Sequence, residues 1–244
     1  MNLLHKNFKR IKKNKKVPYL LHIETATDIC SVAVSENERL LAQSESSEPN
    51  QHSKELTLLI ADVLKKANLK MSDLAAVALS GGPGSYTSLR VGSSVAKGIC
   101  YAMNIPLIAV DTLQAIAAGS MEEFDLPAAV YCPMIDARRM EVYTALYDHE
   151  KNEIKAVEAR ILDEDFKLEL LTLNKKIIFS GNGTEKSRAI FSEDCFLFSS
   201  SICNSSNMLY LAYQKFIHSE FKDIVYFSPN YFKPPNISET KKVL

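Results

Sequence analysis

The hydrophobic stretches over residues 19–24 and 29–35, and the mixed stretch 40–47 that follows a polar turn, read as three strands. The polar quartet Glu36-Asn37-Glu38-Arg39 joins the last two as a turn. From His52 the period lengthens: Leu56, Leu59, Ile60, Val63, Leu64 and Ala67 recur at helical spacing and make one apolar stripe. Ser53 is expected to cap this helix and Asn68 to stop it. Residues 72–79 return to an apolar strand, and a helix is expected over 88–103. Its small residues Gly92, Ser93, Ala96 and Gly98 would let another helix approach closely.

The pattern then repeats in kind. Residues 107–110 form a short apolar strand, and Asp111 is expected to cap a helix running through Gly119. A hinge zone over 120–127 introduces a second unit with strands at 129–136, 141–147 and 153–162, a helix at 163–173 and a strand at 177–180. The turn Gly181-Asn182-Gly183 is expected to open another helix. A final helix over 204–221 places Leu209, Ala212, Tyr213 and Phe216 on one side, and Pro229, Pro234 and Pro235 mark an extended tail. The expected organisation is a basic arm (1–17), a first lobe (18–110) to which the helix 204–221 returns, a second lobe (111–203) and a tail (222–244).

Composition narrows the class. The 244 residues, 46% of them hydrophobic, suffice for a sizeable core, and no window approaches the roughly 20 uninterrupted apolar residues of a membrane span. Five cysteines at irregular spacing, without a CxxC pair, suit a reducing compartment better than a disulfide framework. The zero net charge conceals an asymmetry. Residues 1–16 hold seven Lys or Arg and no acid, leaving 22 basic and 29 acidic residues beyond them, a net of −7. An acidic body is a poor lone binder of RNA. The arm itself reads as an RNA contact, a disordered tail or an early start site, and it lacks the apolar core of a secretory signal.

The stretch Ser80-Gly81-Gly82-Pro83-Gly84-Ser85-Tyr86-Thr87-Ser88-Leu89-Arg90 links a strand to a helix through three glycines and a proline. Such a turn, with helix amides behind it, suits an anion. Its spacing matches neither a P-loop, since no Gly-Lys-Ser/Thr closes it, nor a nucleophile elbow, since Ser85 lacks flanking glycines at the required positions. The hydroxyls of Ser85 and Thr87 read most simply as helix caps, and Cys30, Cys132 and His22, each within an apolar strand, read as core residues.

Three segments in combination resemble the TsaB family: this glycine turn, the strand pair Leu20-Leu21-His22-Ile23-Glu24-Thr25-Ala26-Thr27-Asp28-Ile29-Cys30-Ser31-Val32-Ala33-Val34, and Ile135-Asp136-Ala137-Arg138-Arg139-Met140-Glu141-Val142-Tyr143. The resemblance is densest from Tyr19 to Leu146 and beyond that rests mainly on Ser180-Gly181-Asn182-Gly183. It implies an α/β fold of two ribonuclease-H-like lobes, the architecture of the actin, sugar kinase and Hsp70 superfamily. It also implies a non-catalytic cytoplasmic subunit, without a cofactor or membrane contact, that binds and activates TsaD. The complex would make N6-threonylcarbamoyladenosine beside the tRNA anticodon, with a TsaE-like ATPase as a further partner and tRNA reached only through the complex. Without TsaD, the same surface would form homodimers.

The family pattern also assigns positions. ATP-using members of the superfamily end the first strand in an acid that manages magnesium, with glycine behind it. Here that acid is Glu24, where the TsaB pattern usually has aspartate, and Ala26 stands in the glycine position. The extra methylene moves a carboxylate by about 1.3 to 1.5 Å, and magnesium tolerates poor octahedral geometry badly. In the second lobe Asp136-Ala137 is followed by Arg138 and Arg139 rather than glycines. Glu24, Thr25, Thr27, Gly84, Ser85, Asp136 and Arg138 are therefore expected as vestiges of a nucleotide site, with Asp136 and Arg138 paired on one strand face. The His-x-x-x-His pair of TsaD-like proteins is reduced to His52, because the residue four on is Leu56. No catalytic or metal-binding residue is expected.

The resemblance puts the partner contact on the helices 52–69 and 88–103. Leu56, Leu59, Ile60, Val63, Gly92, Ala96 and Cys100 are the expected contact residues, although Gly92, Ala96 and Cys100 would equally suit packing on the chain's own sheet. A large charged residue at Gly92 or Ala96 is then expected to abolish partner binding and spare the fold. Two rival readings remain: a small-molecule phosphotransferase or ATPase of the same superfamily, and an M22-like metallopeptidase.

Overall fold

The computed structural model describes residues 17–48 and 51–232. The expected basic arm lies, apart from Val17, outside the described residues, as do Pro234 and Pro235. The first half holds β1 (Tyr19–Glu24), β2 (Cys30–Glu36), β3 (Arg39–Ser46), α1 (His52–Lys66), β4 (Leu74–Ser80), α2 (Tyr86–Met103) and β5 (Leu107–Val110). Its sheet has the order β3-β2-β1-β4-β5. The first three strands are antiparallel meanders, and β4 and β5 run parallel to β1.

After α3 (Thr112–Glu123) come β6 (Val130–Asp136), β7 (Glu141–Tyr147), β8 (Glu153–Ile161), α4 (Glu164–Leu171), β9 (Ile177–Ser180), β10 (Phe196–Phe198) and α5 (Leu209–Ile217). The second sheet has the order β8-β7-β6-β9-β10, with the same pattern of antiparallel and parallel pairs. Two copies of this strand order are two ribonuclease-H-like lobes, the arrangement of the actin, sugar kinase and Hsp70 superfamily.

Alternation along the central strands sorts the cores. Leu21, Ile23, Val77 and Leu79 face α1 and α2, whereas Leu20, Ala76, Ala78, Ile108 and Val110 face α3 and α5. α3 is buried on both sides. Its Ala115 and Ala118 meet the first sheet, and Leu113, Ile116, Ala117 and Met121 meet Tyr131, Ala145 and Tyr147 of the second. The far face of the second sheet carries Cys132, Met134, Val142 and Phe179 under α4. The order of layers is therefore α1 and α2, first sheet, α3 and α5, second sheet, α4.

Several elements depart from the sequence reading. The α1 N-cap is Gln51 rather than Ser53, with no side-chain cap bond; Asn68 does end the helix, in the left-handed region at φ 55°. The hinge expected at 120–127 begins later, because α3 continues to Glu123, with buried Ser120 donating to the Ala117 carbonyl at 2.8 Å. The turn at 181–183 opens only one turn of 3₁₀ helix, Glu185–Ser187. The helix expected over 204–221 is a 3₁₀ turn, Ser205–Met208, followed by α5. Strand β10, three residues long, was not foreseen, since so short a run has no readable period.

Candidate functional site

β1 is the central strand of the first sheet, so the residue at its end is fully enclosed. Glu24 has no solvent exposure. Its Oε1 accepts the backbone N–H of Ala26 at 2.6 Å, which turns the carboxylate back onto its own chain. Burial pushes this carboxyl up to about 7, against hydrogen bonds from Ala26, Ser80 and Thr25 that favour the charged form. The neighbouring Thr25 N–H donates to Ser80 Oγ at 3.2 Å. Thr27 is also buried, and its carbonyl accepts from His52 Nε2 at 2.9 Å, which pins the start of α1 to the hairpin.

The glycine turn is packed against this hairpin. A Cβ on Gly84 would stand 2.5 Å from the Ala26 carbonyl oxygen, a separation only glycine permits. That same oxygen accepts the Ser85 N–H at 2.7 Å. The Gly81 N–H donates to the Val110 carbonyl at 2.7 Å, and the Gly82 N–H to Thr112 Oγ1 at 3.1 Å. Ser85 Oγ caps α2 by accepting the Ser88 N–H at 3.4 Å. The amides of Gly81, Gly82, Ser85 and Ser88, which the sequence offered to an anion, are thus engaged within the protein.

The second hairpin differs. Asp136 ends β6 and is exposed, and its backbone N–H donates to Asn182 Oδ1 at 3.0 Å. The expected Asp136–Arg138 side-chain pair does not form, because Arg138 lies in the turn beyond the strand, at φ 72°. The Asp136 carboxylate instead accepts the Arg138 backbone N–H at 2.8 Å and pairs with Lys186. The Lys186 ammonium also donates to the carbonyls of Arg139, at 2.8 Å, and Glu141, at 2.6 Å. Arg138 and Arg139 both occupy the left-handed region where related hairpins would use glycine, a conformation that costs about 1 kcal/mol or more per residue. The Lys186 ammonium holds the turn together.

The tail crosses between these two hairpins. Lys222 N–H donates to the Leu107 carbonyl at 2.8 Å at the sheet edge, Phe227 lies near Lys97 of α2, and Asn230 N–H donates to the Gly81 carbonyl at 2.7 Å. Tyr231 then packs on Tyr86, with ring centroids 4.6 Å apart, and Phe232 on Tyr143 at 5.7 Å.

The expected contact residues require correction. Leu56, Leu59, Ile60, Val63, Ala96 and Cys100 all lie within the core beneath α1 and α2, none more than 9% exposed. Gly92 is buried too, its backbone against the Thr25 side chain, so its missing side chain serves the approach of α2 to the hairpin. A charged residue at Gly92 or Ala96 would therefore disrupt the core, contrary to the expectation that it would spare the fold. The stripe is consumed by the sheet because two helices share one sheet face, and each must bury its widest apolar side there. What they present outward is different: Leu58, 65% exposed, and Tyr101, 80% exposed, with exposed Ala61, Gly98 and Ala102. Sequence periodicity found the stripe and not this face, since two isolated apolar residues among polar ones leave no pattern.

His22 and four of the cysteines belong to the core. His22 Nε2 donates to Ser35 Oγ at 2.8 Å, the Ser35 hydroxyl donates onward to the Asn37 carbonyl, and burial lowers the imidazole to about 3. Burial pushes the thiols of Cys30, Cys100 and Cys132 up to about 12 and that of Cys203 well above its ordinary value. Among the described residues no three His, Cys, Asp or Glu side chains converge as metal ligands. No helix there is long and apolar enough to cross a membrane.

These features define a two-lobed protein of ribonuclease-H-like construction whose first hairpin is folded shut on its own carboxylate. The family model described as "TsaD: tRNA N6-adenosine threonylcarbamoyltransferase" matches residues 39–241. The Escherichia coli protein named tRNA threonylcarbamoyladenosine biosynthesis protein TsaB is 34% identical over 135 residues, 55% of this chain and 57% of that one. The Bacillus subtilis protein of the same name is 27% identical over 167 residues, 68% of this chain and 71% of that one. The chain belongs to the family of that model and, within it, matches the TsaB/YeaZ proteins. The match to the first of these curated relatives spans less than two thirds of its length. The fold agrees with that of the solved YeaZ from Pseudomonas aeruginosa, at TM-score 0.72 and 23% identity over 88% of this chain and 99% of that one.

Proposed function

We propose that this chain is a non-catalytic subunit in the synthesis of N6-threonylcarbamoyladenosine in tRNA, binding and activating a TsaD-like protein through the outward face of α1 and α2. The observation that carries the reading is the closed state of Glu24: a carboxylate hydrogen-bonded to its own hairpin and fully buried is not presented to a magnesium ion or phosphate. With the amides of Gly81, Gly82, Ser85 and Ser88 also engaged, what the fold offers is a surface. Leu58 and Tyr101 are large, apolar and exposed on neighbouring helices, the composition expected where an aromatic anchor enters a partner. Activation would follow from tighter binding to one arrangement of TsaD than to another, and its extent is bounded by that difference in affinity. A TsaE-like ATPase would join the pair, tRNA would be met only through the assembly, and the same face would support a homodimer when TsaD is absent.

The test is co-purification with the TsaD-like protein of the same cell, using Leu58→Glu and Tyr101→Glu. Each is expected to weaken the complex about tenfold or more, as loss of an interface anchor does, with an unchanged thermal transition. Full retention of binding by the double variant would overturn the assignment of the face. Turnover of ATP by the purified chain alone would revive the phosphotransferase reading.

A further inference from the structure

The tail does not end on the surface of one lobe. It leaves the first lobe at the β5 edge, where Lys222 bridges to Leu107, and passes over α2 with Ile224 and Phe227 against the first core. It then reaches the carboxyl end of β4. There the Asn230 N–H donates to Gly81, and the Asn230 carbonyl lies so close over Gly82 that a Cβ would stand 2.5 Å from it. Gly82, at φ 96°, is thus required for two reasons, its own backbone conformation and the approach of the tail. Pro229 is buried, and the rings of Tyr231 and Phe232 join the cluster that contains Ala26 and Leu89 of the first lobe and Ile135, Ala137 and Tyr143 of the second. The carboxyl ends of parallel strands, at the junction of two lobes, are where α/β proteins of this kind usually admit a ligand.

We infer that residues 229–232 are an internal latch: they fasten the two lobes to each other and cover the glycine turn. The latch is made of one backbone hydrogen bond and two aromatic contacts, Tyr231 to Tyr86 in the first lobe and Phe232 to Tyr143 in the second. It joins segments distant in sequence, so its release must be felt in both lobes at once. This inference concerns the isolated chain and is independent of the partner face on α1 and α2.

Hydrogen exchange measured by mass spectrometry on the full chain tests it. In Tyr231→Ser/Phe232→Ser, peptides covering 81–89 and 135–143 are both expected to exchange about tenfold faster, because local opening governs their protection. Peptides of β1 and β9 should be unchanged, and Tyr231→Phe, which keeps the ring, should behave as the parent. If only the tail peptide exchanges faster, the segment is surface packing and the latch is wrong. Should the double variant fail to fold, Asn230→Pro, which removes the donor to Gly81 and keeps both rings, is read by the same two peptides: acceleration of both supports the latch, and acceleration of neither overturns it.

Discussion

The two lobes share a strand order and differ in what covers it. Over its outer face the first sheet carries α1 and α2, 15 and 18 residues long, whereas the second carries α4, 8 residues long, and a single 3₁₀ turn where a counterpart of α2 would stand. The missing helical cover is replaced by phenylalanines. Phe179 lies 4.7 Å from Phe191, 5.5 Å from Phe196 and 5.3 Å from Phe198, and Phe191 meets Phe166 edge-on. Aromatic pairs contribute about 0.5–1.5 kcal/mol each beyond their buried area. One lobe is therefore closed by helices whose outer faces stay exposed. The other is closed by a cluster of rings that leaves little regular surface. Under the proposed function, the same topology serves docking on one side and support on the other.

Breaking the ring cluster is expected to have the largest effect. Phe179→Ala should cost about 3–5 kcal/mol in denaturant unfolding, the range for a fully buried aromatic, and a cost below 1 kcal/mol would show that the second lobe does not depend on its rings. The pH response is expected to belong to the first lobe, since β1 carries two fully buried groups, Glu24 and His22, whose burial shifts their titration in opposite directions. The pKa of Glu24 is raised from 4.5 to about 7, so its contribution is fully present below 4.5 and lost as pH rises through about 7. That of His22 is lowered from 6.5 to about 3, so its contribution is present above 6.5 and lost as pH falls through about 3.

The two slopes oppose each other between pH 4.5 and 6.5. Relative to the parent, the stability of Glu24→Gln should rise by about 1.4 kcal/mol per pH unit in that window, and that of His22→Gln should fall by about the same amount. Parallel curves for all three proteins would remove the assignment. In the second lobe, Lys186→Met leaves the Arg139 and Glu141 carbonyls without their ammonium donor. It should cost about 1–3 kcal/mol, measured by the same unfolding. The smallest effect sharpens the contrast: Tyr101→Ser, on the outward face of α2, should change stability by no more than about 0.5 kcal/mol while weakening partner binding.

The strands and long helices of the first lobe were legible because each has a period long enough to read. β1, α1 and α2 fall within two or three residues of their expected bounds. The second half was less legible where elements are short, as with β10, or where a helix is buried on both faces, as with α3, whose continuation through Ser120 carries no amphipathic mark. For the site, the sequence named Glu24 and Ala26 as altered positions and the glycine turn as suited to an anion, because residue type at a motif is visible in one dimension. It did not say where the Glu24 carboxylate would turn, nor that the tail would reach Gly81.

Taken alone, the sequence determined the element order, the apolar faces and the departures at Glu24, Ala26, Arg138 and Arg139, since all of these are properties of local spacing and residue chemistry. Tertiary structure alone decided which apolar residues are spent inside. Leu56, Ile60, Val63, Gly92 and Ala96 are buried and Leu58 and Tyr101 are not, because burial depends on what packs across the sheet and not on the stripe itself. It also decided that Asn230 and Tyr231 lie against the glycine turn, since a contact between residues about 150 positions apart leaves no trace in local pattern.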